Sequence, residues 1–168
     1  MKYLLILFFS INGILTMNSQ SKDNKVTTYY LIRHAEKNRT NASNKDPELT
    51  KIGLQRAEKW ANTFKNVKFD KVYATNFKRA IQTAKPTAIA NNVTIEFYNP
   101  FNLYAEDFKK NTIGKMVLIV GHSNTTPFFV NKILEENKYP EIDDAINSNL
   151  YIVTVTRNSK TSVLLSFD

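Results

Sequence analysis

Thr28-Tyr29-Tyr30-Leu31-Ile32-Arg33-His34-Ala35-Glu36-Lys37 is the stretch that decides the fold. Its first five residues are β-branched, aromatic and aliphatic, the composition of a buried strand, and it ends on a guanidinium and an imidazole. Met116-Val117-Leu118-Ile119-Val120-Gly121-His122-Ser123-Asn124 repeats the pattern, again closing on a histidine followed by small and polar residues. The chain has only these two histidines. In an open α/β sheet, ligands bind beyond the carboxyl ends of parallel strands, so both imidazoles are expected at one cleft. A structural role in the core is the plain alternative for either ring. Two strand-end positions out of two, one directly after an arginine, favour chemistry.

Working outward, strands are expected at 26–32, 70–74, 93–98 and 116–120, alternating with helices. One helix begins after Thr50 as N-cap and runs to about Phe64, with Leu54, Ala57, Trp60, Ala61 and Phe64 as its apolar face. Gly53 in its first turn reads as a modest blemish. A second helix covers about 76–90, and Pro86 is expected to bend it or end its first half. A short helix at 103–110 and another at 126–134 follow, with Pro127 tolerated in the first turn. Residues 151–156 and 162–167 read as a terminal antiparallel pair. The alternation predicts a three-layer α/β/α domain with a mainly parallel central sheet.

At 168 residues the chain has room for one domain with a proper core. Its start differs from the rest: Met1-Lys2 precedes an apolar run, beginning Leu4-Leu5-Ile6-Leu7-Phe8-Phe9 and reaching Leu15, that is too short to span a bilayer well. Residues 1–19 are read as a signal peptide and 20–168 as the domain, which makes the protein exported, periplasmic or secreted, with no stable membrane span. An uncleaved anchor or a buried first strand is the alternative. With no cysteine there is no disulfide framework and no thiolate chemistry. The formal charge is +8, or +7 without Lys2, and attracts anions in general. The lysines are scattered rather than interleaved with aromatics on one stripe, so no specific nucleic-acid binding is expected.

Arg33 beside His34 suits an imidazole nucleophile attacking an anionic phosphoryl group, with the guanidinium gripping phosphate oxygens bidentately. Arg79 is a second cation in the first turn of a helix that follows a strand, where it can reach back to the strand-end cleft. Lys78 beside it points about 100° away and belongs to the exposed register. His122, after the permissive Gly121, can donate a charged hydrogen bond to a phosphoryl oxygen. Zinc held by His34 and His122 is the rival reading, but no third ligand is evident.

Together, Arg33-His34-Ala35-Glu36, Leu49-Thr50-x-x-Gly53-x-x-Arg56-Ala57, Arg79-Ala80-x-Gln82-Thr83-Ala84 and Gly121-His122-Ser123-Asn124 resemble the histidine phosphatase superfamily. Its members include the phosphoglycerate mutases and many small phosphatases, and the chain looks like the latter. The resemblance spans about residues 27–135. It implies a phosphoglycerate mutase-like fold and a phosphohistidine on His34 that water hydrolyses. Arg33, Arg79 and His122 would hold the phosphate, Glu36 and Ser123 would stand at the substrate, and no metal or cofactor would be needed.

Two positions depart from the family pattern. Ala35 stands where glycine usually follows the histidine, and Ser123 stands where one branch has an aspartate as general acid. A mutase-like branch draws its acid from the segment after Arg79, which points to Glu106, with Asp107 or Glu36 as substitutes. If none serves, leaving groups of low pKa or phosphoramidates are favoured. The function expected is an exported phosphatase acting on a small phosphorylated compound or a phosphorylated envelope component. A phosphohistidine or phosphoprotein phosphatase is the alternative, as is a non-catalytic phosphate-ligand or protein-binding module on the same fold. The loops at 38–48 and 100–110 are expected to rim the cleft, with Tyr98, Phe101 and Tyr104 available to an organic leaving group.

Overall fold

A computed structural model describes residues 25–167. The proposed signal peptide therefore lies outside the described residues. The elements run β1 (Thr27–Arg33), α1 (Lys51–Thr63), β2 (Lys71–Ala74), α2 (Lys78–Ala90), β3 (Ile95–Phe97), α3 (Glu106–Thr112), β4 (Met116–Gly121), α4 (Thr125–Leu134), β5 (Asn149–Val155) and β6 (Lys160–Ser166). The sheet order is β3-β2-β4-β1-β5-β6. β3, β2, β4 and β1 are mutually parallel, while β5 and β6 extend the sheet as the expected antiparallel pair.

Strand periodicity explains the layers. Tyr29, Leu31, Val117, Ile119 and Val153 point to one face, where they pack with Phe129, Val130 and Ile133 of α4 and with Phe108 of α3. Ile32, Val72, Leu118 and Val120 point to the other, against Trp60 of α1 and the Ala80, Ala84 and Ala88 row of α2. Both faces of β1 and β4 are thus buried, as expected of central parallel strands. The architecture is a three-layer α/β/α fold with a mainly parallel sheet.

Three local expectations change. Thr50 does cap α1, its hydroxyl accepting from the Gly53 N–H at 3.0 Å. Gly53, however, is a contact point rather than a blemish: a Cβ there would sit 2.3 Å from the Glu36 carbonyl oxygen, so only glycine lets α1 touch the loop leaving β1. Leu54 is about half exposed, because the buried face of α1 is Gly53, Ala57 and Trp60. Pro86 neither ends nor splits α2, which runs through to Ala90 because its small-residue row packs on the sheet both before and after the proline.

Candidate active site

β1 and β4 are neighbours and parallel, with Arg33 opposite Gly121. The His34 N–H donates to the Gly121 carbonyl at 2.9 Å, which locks the two strand ends together. Both histidines consequently emerge at the same edge, their ring centroids 5.2 Å apart. Gly121 permits this: a Cβ there would lie 2.7 Å from both the Thr126 and Tyr98 hydroxyls. The cleft beyond the strand ends has a volume of about 330 Å³ and is lined by Arg33, His34, Lys37, Arg79, His122 and Ser123 among others. Larger grooves of about 420 and 520 Å³ lie elsewhere on the surface and touch neither histidine.

His34 is buried and tightly oriented. Its Nδ1–H donates to the Ala35 carbonyl at 2.7 Å, an assignment that follows from the acceptor, and so Nε2 carries the free lone pair. Asn147 donates to the His34 carbonyl at 2.8 Å, and the Ala35 N–H donates to Thr83 Oγ1 at 2.9 Å. Thr83 in turn donates to the Arg79 carbonyl, so one hydroxyl couples the β1 exit to α2. Burial, reinforced by His122, Arg33 and Arg79, holds the His34 pKa down to about 3. The ring is therefore neutral and nucleophilic at physiological pH. The Ala35 methyl is accommodated beside Leu49 and Ala57.

His122 Nε2 is hydrogen-bonded to Thr75 Oγ1 at 2.8 Å, and Phe77 packs edge-on against the ring. Burial and the charges of Arg79, Lys37 and Arg33 lower its pKa to about 4. The expectation of a charged donor thus needs amending: His122 is neutral in the protein alone, and an arriving dianion would favour its protonation by opposing those cations.

Arg79 reaches the cleft as expected, whereas Lys78 points outward to Glu48. The Arg79 guanidinium stacks 4.4 Å over the Phe77 ring, and its Nε and Nη1 are buried without hydrogen-bond partners. The nearest carboxylate, that of Asp46, stands 3.6 Å from Nη1. Buried donors left unpaired cost about 1–3 kcal/mol each, a penalty that a bound oxyanion would relieve. Arg33 differs from the bidentate clamp expected of it. Its Nη1 donates to the Asp143 and Ile146 carbonyls at 3.0 and 2.9 Å, and its Nη2 bonds the Asp144 carboxylate, leaving only Nε without a partner. Arg33 braces the 143–146 loop and contributes charge to the cleft.

Glu106 does not join the site. Its exposed carboxylate bonds Lys109 at 2.7 Å, an interaction that lowers its pKa, the wrong direction for an acid. Asp107 is exposed on the same short helix, and Glu36 turns away to Arg56, where the carboxylate accepts from Nε at 2.7 Å. Ser123 lines the cleft. Asp144 does too, but Arg33 and Arg39 hold its carboxyl below the usual range against the opposing effect of burial. Pro100 and Phe101 form a rim as expected, while Tyr98 and Tyr104 belong to the core.

Thr75, Asn147 and Asp144 escaped the sequence reading, and Thr83 entered it only within the motif from Arg79 to Ala84, with no role of its own. Thr75 follows β2 directly, so the strand-end rule that found both histidines applies to it as well. The other three act across contacts 48 to 113 residues long, for which no local signal exists.

The fold and the strand-end constellation have counterparts. The family profile described as the histidine phosphatase superfamily (branch 1) matches residues 29–102, which hold His34, Arg33 and Arg79. Over those residues the chain matches the histidine phosphatase superfamily. No curated protein matches it in sequence. The superfamily fold is shared with solved structures of low identity. The protein histidine phosphatase SixA complexed with tungstate is 19% identical, with a TM-score of 0.68 over 83% of this chain and 96% of that one. Phosphoglycerate mutase from Bacillus anthracis str. Sterne is 15% identical, with a TM-score of 0.64 over 85% and 94%. A phosphoserine phosphatase mutant from Entamoeba histolytica in complex with phosphoserine is 18% identical, with a TM-score of 0.58 over 84% and 96%. Among the described residues, no group of three or more histidine or acidic side chains is placed to hold a metal ion. No described helix is long and apolar enough to cross a membrane.

Proposed function

We infer that the protein is a metal-independent phosphatase that transfers a phosphoryl group to His34 Nε2 and then to water. One observation carries this reading: a neutral imidazole, its Nδ1–H fixed on the Ala35 carbonyl, stands in a cleft with the orphaned donors of Arg79. Attack forms the Nε2–P bond as the bond to the leaving group breaks. The transferring oxyanion is stabilised by Arg79, by the charge of Arg33, by His122 and by the amino-terminal end of α4, whose Asn124 and Thr125 line the cleft. Water then attacks phosphorus and frees His34.

The substrate class follows from the cleft, which suits a small phosphomonoester whose organic part rests on Phe77, Pro100 and Phe101. A second reading, hydrolysis of phosphoramidates such as phosphohistidine, is favoured by one fact. Glu106, Asp107 and Glu36 all lie outside the cleft, and phosphoramidates depend least on such an acid. Export through residues 1–19, which would place the enzyme on envelope or extracellular substrates, belongs to the same proposal.

Hydrolysis of p-nitrophenyl phosphate with EDTA present, beside His34→Ala, tests the chemistry. Wild-type turnover and an acid-labile, alkali-stable phosphoenzyme are expected, both lost in a folded His34→Ala protein. Unchanged turnover in that variant refutes the nucleophile, and no turnover by either favours a binding module. Fusing residues 1–25 to a reporter active only outside the cytoplasm tests export, and a silent reporter refutes it.

A further inference from the structure

We propose that Thr75 is a positioning residue that fixes His122 as its Nδ1–H tautomer, so that an uncharged imidazole donates to the transferring phosphoryl group. The proposal rests on the phosphatase reading above and assigns the form in which His122 serves it.

Thr75 is held from both sides. Its N–H donates to the Val120 carbonyl at 3.3 Å, continuing the register that sets Ala74 opposite Val120. Its own carbonyl accepts from the Phe77 N–H at 2.7 Å. The side chain is fully buried, and branching at Cβ leaves it little freedom about χ1. The hydroxyl is thereby set 2.8 Å from His122 Nε2.

The direction of that bond follows from counting protons. A Thr75 hydroxyl that accepted from Nε2–H would keep its own proton buried without an acceptor, because Oγ1 has no second hydrogen-bond partner among the described residues. Such a buried orphan is costly. Donation from Oγ1 to the Nε2 lone pair avoids it, and the proton of the neutral imidazole then sits on Nδ1. Nδ1 makes no hydrogen bond among the described residues, yet it is not one of the buried orphan atoms, so it opens to the cleft that His122 lines.

The two rings are then complementary. His34 gives its Nδ1–H to the Ala35 carbonyl and presents a lone pair at Nε2, whereas His122 takes the Thr75 proton at Nε2 and presents an N–H. With ring centroids 5.2 Å apart, one phosphoryl group can meet the nucleophile on one side and the donor on the other. Around His122 stand the neutral His34 ring, Arg79 of α2, Arg33 at the end of β1 and Lys37 just beyond it, and the three cations oppose a second proton on the ring. Thr75 opposes it as well, since an Nε2–H would face the hydroxyl proton and remove its acceptor. These effects counter the pull of an arriving dianion, and the neutral ring needs no second proton in order to donate.

The test is nitrogen-15 NMR of histidine-labelled protein, in which only two imidazoles contribute, on wild type, Thr75→Val, Thr75→Ser and, for assignment, His34→Gln. The wild-type His122 ring is expected to be neutral at pH 7 with its proton on Nδ1, and added orthovanadate should shift that nitrogen. Thr75→Ser keeps this state, while Thr75→Val, which has the shape but not the hydroxyl, admits the Nε2–H tautomer. With p-nitrophenyl phosphate, Thr75→Val lowers kcat at pH 7 by about 10-fold, less than the loss on removing a donor outright. Its rate relative to wild type then rises as pH falls to 5, because protonation alone restores the Nδ1–H, and Thr75→Ser stays close to wild type throughout. A wild-type proton on Nε2, an imidazolium at pH 7, or an Nδ1 that vanadate does not move overturns the proposal. So does a rate ratio between Thr75→Val and wild type that stays constant with pH, and the wild-type spectra decide alone should Thr75→Val not fold. Failure of the phosphatase reading is distinguishable: wild-type protein would then form no phosphohistidine from p-nitrophenyl phosphate, whereas the tautomer and its response to vanadate are read without turnover.

Discussion

Replacing Gly53 by alanine puts a methyl carbon 2.3 Å from the Glu36 carbonyl oxygen, more than 1 Å inside ordinary contact, which begins near 3.4 Å. That oxygen cannot retreat cheaply, because it accepts from the Thr50 N–H at 2.8 Å and from Thr50 Oγ1 at 3.2 Å. Relief requires α1 to lift from the β1 exit, with loss of both hydrogen bonds at about 1 kcal/mol each. Residual crowding adds about 1–2 kcal/mol. Alanine's better helix propensity returns about 1 kcal/mol. The net loss is about 2–3 kcal/mol, which for a domain of this size lowers Tm by roughly 5–10 °C. Thermal unfolding followed by circular dichroism reads this directly. Since Glu36 lies two residues beyond His34, kcat should fall as well. A variant with wild-type Tm, or a higher one, would show that α1 does not press on this loop and would refute the packing argument.

Two further outcomes follow from the site's electrostatics. Both histidine pKa values lie below the ordinary 6.5, at about 3 and about 4, so the unfolded chain binds more protons than the folded one at mildly acid pH. Their contribution is complete above pH 6.5 and declines as pH falls toward 4, amounting by pH 5 to a loss of at most about 2 kcal/mol per histidine. Tm measured from pH 7 to pH 5 should therefore drop further in wild type than in a His34→Gln/His122→Gln variant, and parallel curves would contradict the burial argument. Asp144→Asn removes a negative charge bridging Arg33 of the cleft and the exposed Arg39, so vanadate should inhibit the variant at roughly 2- to 5-fold lower concentration, the scale of an exposed ion pair. Weaker inhibition would mean that the carboxylate organises the Arg33 side more than it competes with an anion.

The sequence by itself determined the layered α/β class, both strand-end histidines and the choice of Arg79 over Lys78. These are consequences of short periodicities: two along a strand for burial, 3.6 along a helix for direction. Such rules see a residue's own element and little beyond it. They misjudged Gly53 because its purpose is a contact with Glu36, 17 positions earlier, and Pro86 because burial of the alanine row outweighs one missing backbone bond. Glu106 looked suitable by position in the chain, yet α3 turns its carboxylate to Lys109 and the solvent. Tertiary structure alone decided that Arg33 is tied to the 143–146 loop and that Asn147 props the His34 carbonyl. Each joins a strand end to a distant loop through a directional hydrogen bond, and that geometry exists only once the sheet has brought β1 and β4 side by side.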